Sequence, residues 1–201
     1  MIVLMAPVGL TAQKMYMSSG KLILDMTEAA GMPSGVQTTV QKFPNAGSSY
    51  NPSDQGTAMA NNTENGSINA LVYAKLEIAA SNVNTSAVLA TGDHLMSWAT
   101  AFLACKNLNV SGRTGWRLPT QRELMVMSIF KPAAEALLGA NFRDYGLWSI
   151  TETDNQPQAW TVNFRSGTGS SSGNGATDRI AKTTSNLYQA RCVREATELG
   201  I

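Results

Sequence analysis

Few side chains in this sequence could act as a base or a nucleophile. His94 is the only histidine, and Cys105 and Cys192 are the only cysteines. Ser–His or Cys–His catalysis would therefore have to use one imidazole at the start of a predicted helix, where no partner carboxylate is evident. A surface position on that helix is the simpler interpretation. No H-E-x-x-H or phosphate-loop pattern occurs, and the single G-x-S-x-G run, residues 169–173, belongs to a Gly- and Ser-rich predicted loop. We expect a protein that is not an enzyme.

The two cysteines predict a disulfide. Cys105 and Cys192 are 87 residues apart, too far for a CxxC redox or zinc motif. In an exported protein two cysteines most simply pair with each other. The chain-entropy account gives roughly 4–5 kcal/mol of stabilisation for a loop of this length. The alternative is two buried free thiols in a cytosolic core.

Polar segments in the second half are candidates for a binding surface. Residues 151–158 and 166–186 are rich in Ser, Thr, Asn, Gln and Gly. Such loops present adaptable hydrogen-bonding groups at the rim of a rigid scaffold, and plain solvated loops are the alternative. The candidate ligand-binding residues are Glu152, Asp154, Asn155, Gln158, Asn163, Arg165, Asn174, Asp178, Arg179 and Tyr188.

A calcium site has no supporting motif. Calcium-dependent sugar binding would need a Glu-Pro-Asn or Gln-Pro-Asp triplet, whose oxygens share the ion with sugar hydroxyls. The nearest run, residues 156–158, is Gln-Pro-Gln and lacks the carboxylate. Asp144, Glu152, Asp154 and Asp178 could supply oxygen ligands, but scattered surface acids are the commoner explanation. We expect no metal site and no cofactor.

Composition and charge narrow the range of partners. Charged residues make up 14% of the chain and the net charge is +1, whereas a typical soluble domain has about 25% charged residues. Ser, Thr, Asn and Gly take their place, a composition common in extracellular β-rich bacterial proteins. The charge balance gives no attraction to nucleic acid or to an anionic membrane. We expect a glycan or protein ligand on a cell surface, with other subunits of a surface assembly as further partners.

Residues 1–13 form an apolar run. Its end, Leu10-Thr11-Ala12-Gln13, resembles a secretory signal cleaved after Ala12. No Lys or Arg precedes Lys14, so a buried N-terminal strand is the alternative. The run is too short to span a bilayer. No cysteine follows it directly, which disfavours a lipid anchor. We expect an exported protein at the cell surface or outside the cell.

Two helices are predicted in the first part of the second half. Asp93 is a plausible N-cap for a helix over residues 94–107, which carries an apolar stripe. Thr120 and Glu123 form the T-x-x-E capping box of the next helix. That helix stops before Pro132, and a short helix over 132–138 then ends on Gly139.

Beyond these helices the period changes to two. Residues 147–150 predict a strand, and Trp160, Val162 and Phe164 alternate with polar residues in a strand with one wet face. A loop over 166–178 and a last strand over 187–194, which carries Cys192, complete an α+β arrangement. We expect Trp116, Trp148 and Trp160 to be core residues rather than sugar-stacking platforms.

The first half is less clearly patterned. Residues 14–43 indicate short strands, residues 44–69 form a polar loop with too little apolar surface for a core, and residues 70–80 indicate another strand. The region 14–89 is therefore β-rich, either as a small subdomain or as an elaboration packed onto the second half.

The second half resembles a known family. Residues 115–120, Gly-Trp-Arg-Leu-Pro-Thr, with Glu123-Leu124 after them, are similar to the WRLPT..EL signature of bacterial C-type-lectin-like domains, which are related to the formylglycine-generating-enzyme fold. The upstream helix with Trp98 and Cys105, the segment 148–151 with Trp160, and the run 191–194 match that pattern in order. The resemblance covers about residues 90–196, and its structural motif consists of Trp116, Arg117, Leu118, Pro119, Thr120 and Glu123.

The resemblance implies a C-type-lectin-like domain with adjacent terminal strands, in which Cys105 and Cys192 are neighbours. It implies an exported adhesin-type module, such as a fimbrial tip or accessory subunit, that binds glycan or protein through loops of the second half. A phage or retroelement-diversified receptor-binding protein is the main alternative, and a formylglycine-generating-type copper oxidase is the least favoured one. Arg117 is expected to be either an ion-pair partner or a ligand contact.

Overall fold

The computed structural model describes residues 13–27, 75–83, 94–139, 142, 145–153, 158–165, 175–183, 185 and 187–196. Within these residues the chain forms three helices and two antiparallel sheets, which confirms the predicted α+β class. The predictions for residues 1–12, for the loop 44–69 and for residues 166–174 lie outside the described residues. No helix in the described ranges is long and apolar enough to cross a membrane.

The larger sheet, sheet A, joins the two ends of the described chain. It contains β1 (Lys14–Ser18), β2 (Lys21–Asp25), β3 (Lys75–Ile78) and β7 (Val193–Glu195), in the order β1-β2-β3-β7. Each neighbouring pair is antiparallel. Because β3 lies between β2 and β7, the N-terminal strands share a sheet with the final strand.

The end of β2 is held by a local hydrogen-bond cluster. The Asp25 carboxylate accepts hydrogen bonds from the Thr27 N–H (3.0 Å) and the Thr27 hydroxyl (2.6 Å), and Lys75 Nζ lies 3.3 Å from its other oxygen. Burial by itself raises the pKa of Asp25, but the Thr27 hydrogen bonds and the Lys75 charge outweigh it and hold that pKa below its ordinary value.

The smaller sheet, sheet B, is formed entirely by the second half of the chain. It contains β4 (Gly146–Glu152), β5 (Gln158–Asn163) and β6 (Thr177–Ala181), with β5 in the centre and every pair antiparallel. The register changes in β4 between Trp148 and Glu152. Strand β6 is an edge strand, and none of its side chains is fully buried.

The three helices begin at residues that differ in part from the predicted ones. They are α1 (Trp98–Lys106), α2 (Gln121–Ile129) and α3 (Lys131–Leu138). The prediction of Asp93 as the first N-cap was wrong, because Met96 exchanges backbone hydrogen bonds with Tyr188 and keeps the chain extended up to Ser97. Ser97 is the cap, and its hydroxyl accepts from the Thr100 N–H.

The later helix boundaries agree closely with the predictions. Thr120 and Glu123 form both hydrogen bonds of the capping box, so this prediction is confirmed. Helix α3 has Pro132 in its first turn and ends at Gly139, whose φ of 62° places it in the left-handed region.

Three predictions need correction. The predicted loop over 166–178 and the polar loop segment 166–186 overlap strand β6 (Thr177–Ala181), which pairs with β5. The polar face of β5 was expected to be wet, but Thr161 is buried while Trp160 is half-buried. The reason is that β5 is the central strand of sheet B and both of its faces are largely covered. The predicted strand over 187–194 is regular only from Val193, since residues 188 and 189 form isolated bridges to Met96 and to β4.

The core consists of two apolar clusters. One packs α1 against sheet B and contains Trp98, Phe102, Trp116, Trp148 and Ile150. The second lies between sheet A, α2 and α3, and includes Leu22, Leu76, Leu124, Met127, Phe164 and Val193.

The predicted disulfide is present and belongs to the first cluster. Cys105 of α1 and Cys192, next to β7, are joined and neither is exposed to solvent. The bond ties the first helix to the strand that completes sheet A.

Candidate functional site

The motif residues that carry the family resemblance build the scaffold. Glu123, which is fully buried, receives hydrogen bonds from both terminal nitrogens of Arg117 at 2.7 Å and from the Thr120 N–H at 2.8 Å. Arg117 also exchanges backbone hydrogen bonds with Val193. The Arg117 guanidinium is therefore a structural ion-pair partner of α2, while the Arg117 backbone makes the link to β7.

The other motif residues have similar roles. Trp116 is buried and its indole N–H donates to the Arg113 carbonyl at 2.9 Å. Leu118 is a core residue, and the Pro119 carbonyl accepts a hydrogen bond from Ile150 of β4 at 2.8 Å. This segment thus fastens α2 to both sheets.

The predicted ligand residues divide between the surface and the interior. Asp154, Asn155 and Asn174 lie outside the described residues. Glu152 has no exposed surface and forms an ion pair with Lys182, which is equally buried. The Lys182 ammonium also lies 4.7 Å from the centre of the Trp98 ring. Sequence reasoning missed Lys182 as a core residue, because a lysine in a polar segment gives no sign of burial.

Four predicted residues lie at or next to one end of sheet B: Asn163, Asp178 and Tyr188, and Arg165, which follows Asn163 by two residues. The register pairs Gly146 with Asn163, and Thr161 with Asp178. Because Thr161 and Asn163 are two residues apart on β5, the side chains of Asn163 and Asp178 lie on one face of the sheet at the same end. We call this set of four residues the polar end of sheet B. Asp178 and Arg165 are exposed, and Asn163 and Tyr188 are half-buried.

Tyr188 is held rigidly at this end. Its ring meets the Trp148 ring edge-on with 5.0 Å between centroids. It also lies against Gly146, where a Cβ would come within 2.7 Å of the ring, so any other residue at that position would have to displace the ring. Burial, and then the negative charge of Asp178, raise the pKa of the Tyr188 phenol, which stays protonated at neutral pH.

Arg165 is oriented by its neighbours. Its backbone N–H donates to the Asn163 side-chain oxygen at 2.9 Å, and its guanidinium lies 5.9 Å from the centre of the Tyr145 ring. Stacking on an aromatic ring leaves the edge of the guanidinium free to donate hydrogen bonds.

The remaining candidates, Gln158 and Arg179, lie on the other face of the β5–β6 ribbon. Arg179 stands opposite Trp160 in the register, and its guanidinium lies 5.5 Å from the centre of the indole ring. Its backbone N–H donates to the Asp178 carboxylate at 2.7 Å. Because the arginine partly covers Trp160, the indole is not an open platform for a sugar ring.

The polar end of sheet B can form hydrogen bonds of both senses. Asp178 accepts, Arg165 donates, and the Tyr188 hydroxyl and the Asn163 amide can do either. Among the described residues no group of three His, Cys, Asp or Glu side chains could hold a metal ion. His94 is half-buried and precedes α1 by several residues rather than lying on its surface.

Comparison with known proteins supplies one match. A family model described as the Lcl C-terminal domain matches residues 79–194, more than half of the chain. The search of curated proteins found no match, and the search of solved structures found none either.

Proposed function

Because the chain belongs to the Lcl C-terminal domain family, a family of C-type-lectin-like domains, we propose that it is an exported surface module of the adhesin type. Its task is to bind a glycan or a protein on another surface through the polar end of sheet B. A place at the tip of a fimbria, or as an accessory subunit of a surface assembly, fits this role.

One observation carries the proposal. The register of sheet B and the packing of Tyr188 bring Asn163, Asp178 and Tyr188 to one exposed end of a stapled domain, and Arg165 follows Asn163 by two residues. Neighbouring donors and acceptors on a rigid support lose little conformational entropy when they bind, which favours recognition of polar ligands.

The chemistry of the described residues supports binding rather than catalysis. Both cysteines are consumed by the buried disulfide, whereas a copper oxidase of the formylglycine-generating type needs reactive thiols. The sequence contains neither an H-E-x-x-H zinc motif nor a phosphate-loop pattern, which points the same way.

A binding screen tests the proposal. The whole chain is applied to an array of surface glycans and extracellular-matrix proteins, next to the Arg165→Gln/Asp178→Asn variant and the control variant Arg122→Gln, which changes an exposed residue of α2. We expect the double variant to bind at least about tenfold more weakly, because it replaces two charged hydrogen-bonding side chains by neutral ones. Equal binding by all three proteins would place the ligand elsewhere, and no binding by any would favour a purely structural subunit.

Export needs a separate measurement. In the source cell, the full chain should be labelled by a membrane-impermeant reagent or removed by external protease. Protection in intact cells would contradict the proposed location, whatever the array shows.

A further inference from the structure

No side chain of the edge strand β6 is fully buried, so its own side chains fix its register against β5 only through partly exposed contacts, such as that of Arg179 with the Trp160 ring. Three of its side chains are exposed and the other two are only half-buried. A strand with no fully buried face slips easily, because a shift along its neighbour loses few contacts. Yet the polar end of sheet B requires one register, since it depends on Asp178 facing Thr161.

The buried ion pair Glu152–Lys182 lies on the same face of sheet B as the Asp178 side chain. Glu152 of β4 stands opposite Ala159 of β5, which stands opposite Ile180 of β6. Lys182 comes two residues after Ile180 and therefore points to the same face. Its ammonium reaches back across the sheet to Glu152 and lies over the Trp98 ring, with no solvent exposure on either partner.

We propose that the Glu152–Lys182 pair is a register lock, which selects the single alignment of β6 that places Asp178 at the polar end of sheet B. Both are thus positioning residues. The lock itself is independent of any ligand, and only its use in forming a binding site rests on the proposed function.

The sequence around Lys182 explains the selectivity. A slip of β6 by one or two residues in either direction would bring Ile180, Ala181, Thr183 or Thr184 to the position of the ammonium. Each is uncharged and would leave the Glu152 carboxylate buried without its cation. Unpaired buried charges are strongly unfavourable, so each slipped alignment should be disfavoured about 100-fold or more. Fixing register is the best-attested use of a buried polar or ionic group.

Disulfide trapping tests the lock. Gln158 and Ala181 are opposite in the observed register, so a Gln158→Cys/Ala181→Cys pair reports the native alignment. A Gln158→Cys/Arg179→Cys pair closes only after a two-residue slip, since cross-linked residues need Cα atoms within about 7 Å and directly opposite positions. Each pair is placed in the wild-type protein and in the Glu152→Leu/Lys182→Met variant, and oxidation products are mapped by mass spectrometry.

The matched control removes another buried ion pair, one whose residues lie outside sheet B. It is the Arg117→Met/Glu123→Leu variant carrying the same cysteine pairs. We expect the slip-reporting pair to close in under about 1% of wild-type and control molecules, and in about 10% or more of the Glu152→Leu/Lys182→Met protein. The proposal is overturned if the Glu152→Leu/Lys182→Met protein folds and closes only the native cysteine pair. It is also overturned if the Arg117→Met/Glu123→Leu control closes the slip-reporting pair to the same extent.

A second variant tests the proposal if the Glu152→Leu/Lys182→Met protein does not fold. Glu152→Gln/Lys182→Met removes both charges at nearly unchanged length, and the same two outcomes decide the proposal. Charge reversal, Glu152→Lys/Lys182→Glu, should keep the native cross-link only. These results stand apart from the binding screen: a failed screen with successful trapping would reject the proposed function and leave the lock intact.

Discussion

Replacing Glu123 by leucine should unfold this protein at a much lower temperature. The carboxylate is fully buried and receives three short hydrogen bonds, two from Arg117 and one from the Thr120 N–H. Leucine fills most of the volume but accepts none of them. The Arg117 guanidinium, which is also largely buried, would then lack its counter-ion.

The magnitude can be worked from these contacts. Breaking a buried ion pair by removing one partner costs about 3–5 kcal/mol, because the other charge stays desolvated. Losing the capping-box acceptor for the Thr120 N–H adds about 1 kcal/mol. The sum, about 4–6 kcal/mol, is a large part of the 5–15 kcal/mol typical of a native domain. In a domain of this size it corresponds to a fall in Tm of roughly 10–20 °C.

Equilibrium unfolding in urea, monitored by tryptophan fluorescence, measures the free energy of unfolding directly. Thr120→Ala is the control for the cap alone and should lose about 1 kcal/mol. The double variant Arg117→Met/Glu123→Leu should recover much of the single variant's loss, because no charge stays buried. The reasoning is refuted if Glu123→Leu loses less than about 2 kcal/mol, or if the double variant is no more stable than the single one.

Three further changes have defined outcomes. Replacing Cys105 and Cys192 by alanine should lower the free energy of unfolding by roughly 4–5 kcal/mol, from the entropy of an 87-residue loop; a loss under about 1 kcal/mol in urea titration would contradict this. Gly146→Ala must displace the Tyr188 ring, so we expect about 1–3 kcal/mol of destabilisation and an altered near-ultraviolet circular dichroism spectrum, and an unchanged spectrum would argue against the close contact. The lowered pKa of Asp25 in the folded state means that its contribution is present above the pKa of the unfolded chain and is lost as the pH falls through the folded value. The Tm difference between wild type and Asp25→Asn should therefore shrink below about pH 4, and a difference that stays constant from pH 7 to pH 3 would rule this out.

Local sequence signals predicted the helical part of the fold well. The capping box at Thr120 and Glu123 is a contact between residues three apart, so its geometry is set by the local pattern alone. The end of α3 at Gly139 is equally local, since glycine adopts the left-handed conformation readily. The start of α1 was misplaced because a distant partner, Tyr188, keeps Met96 extended.

The candidate site was predicted only as a set of polar residues. Which of these residues belong to the site is decided by strand register. The register brings Asp178 and Asn163 to one end of sheet B and places Arg179 on the opposite face. Glu152 is not a surface residue, because it is buried in an ion pair with Lys182, thirty residues away in the sequence. Register and long-range pairing are set by tertiary contacts, and a single sequence gives no measure of them.

The sequence by itself determined the α+β class, the capping of α2, the motif that carries the family resemblance and the presence of two cysteines suited to pair. These features depend on residue types and on periods of two and 3.6, which act over one or two turns of chain. Only the tertiary structure decided that the N-terminal strands join β7 in one sheet, that Arg117 is a structural ion pair, and which polar residues share an exposed end. Those outcomes depend on desolvation and on contacts between residues far apart in sequence, because burial is a property of the packed chain and not of any one segment.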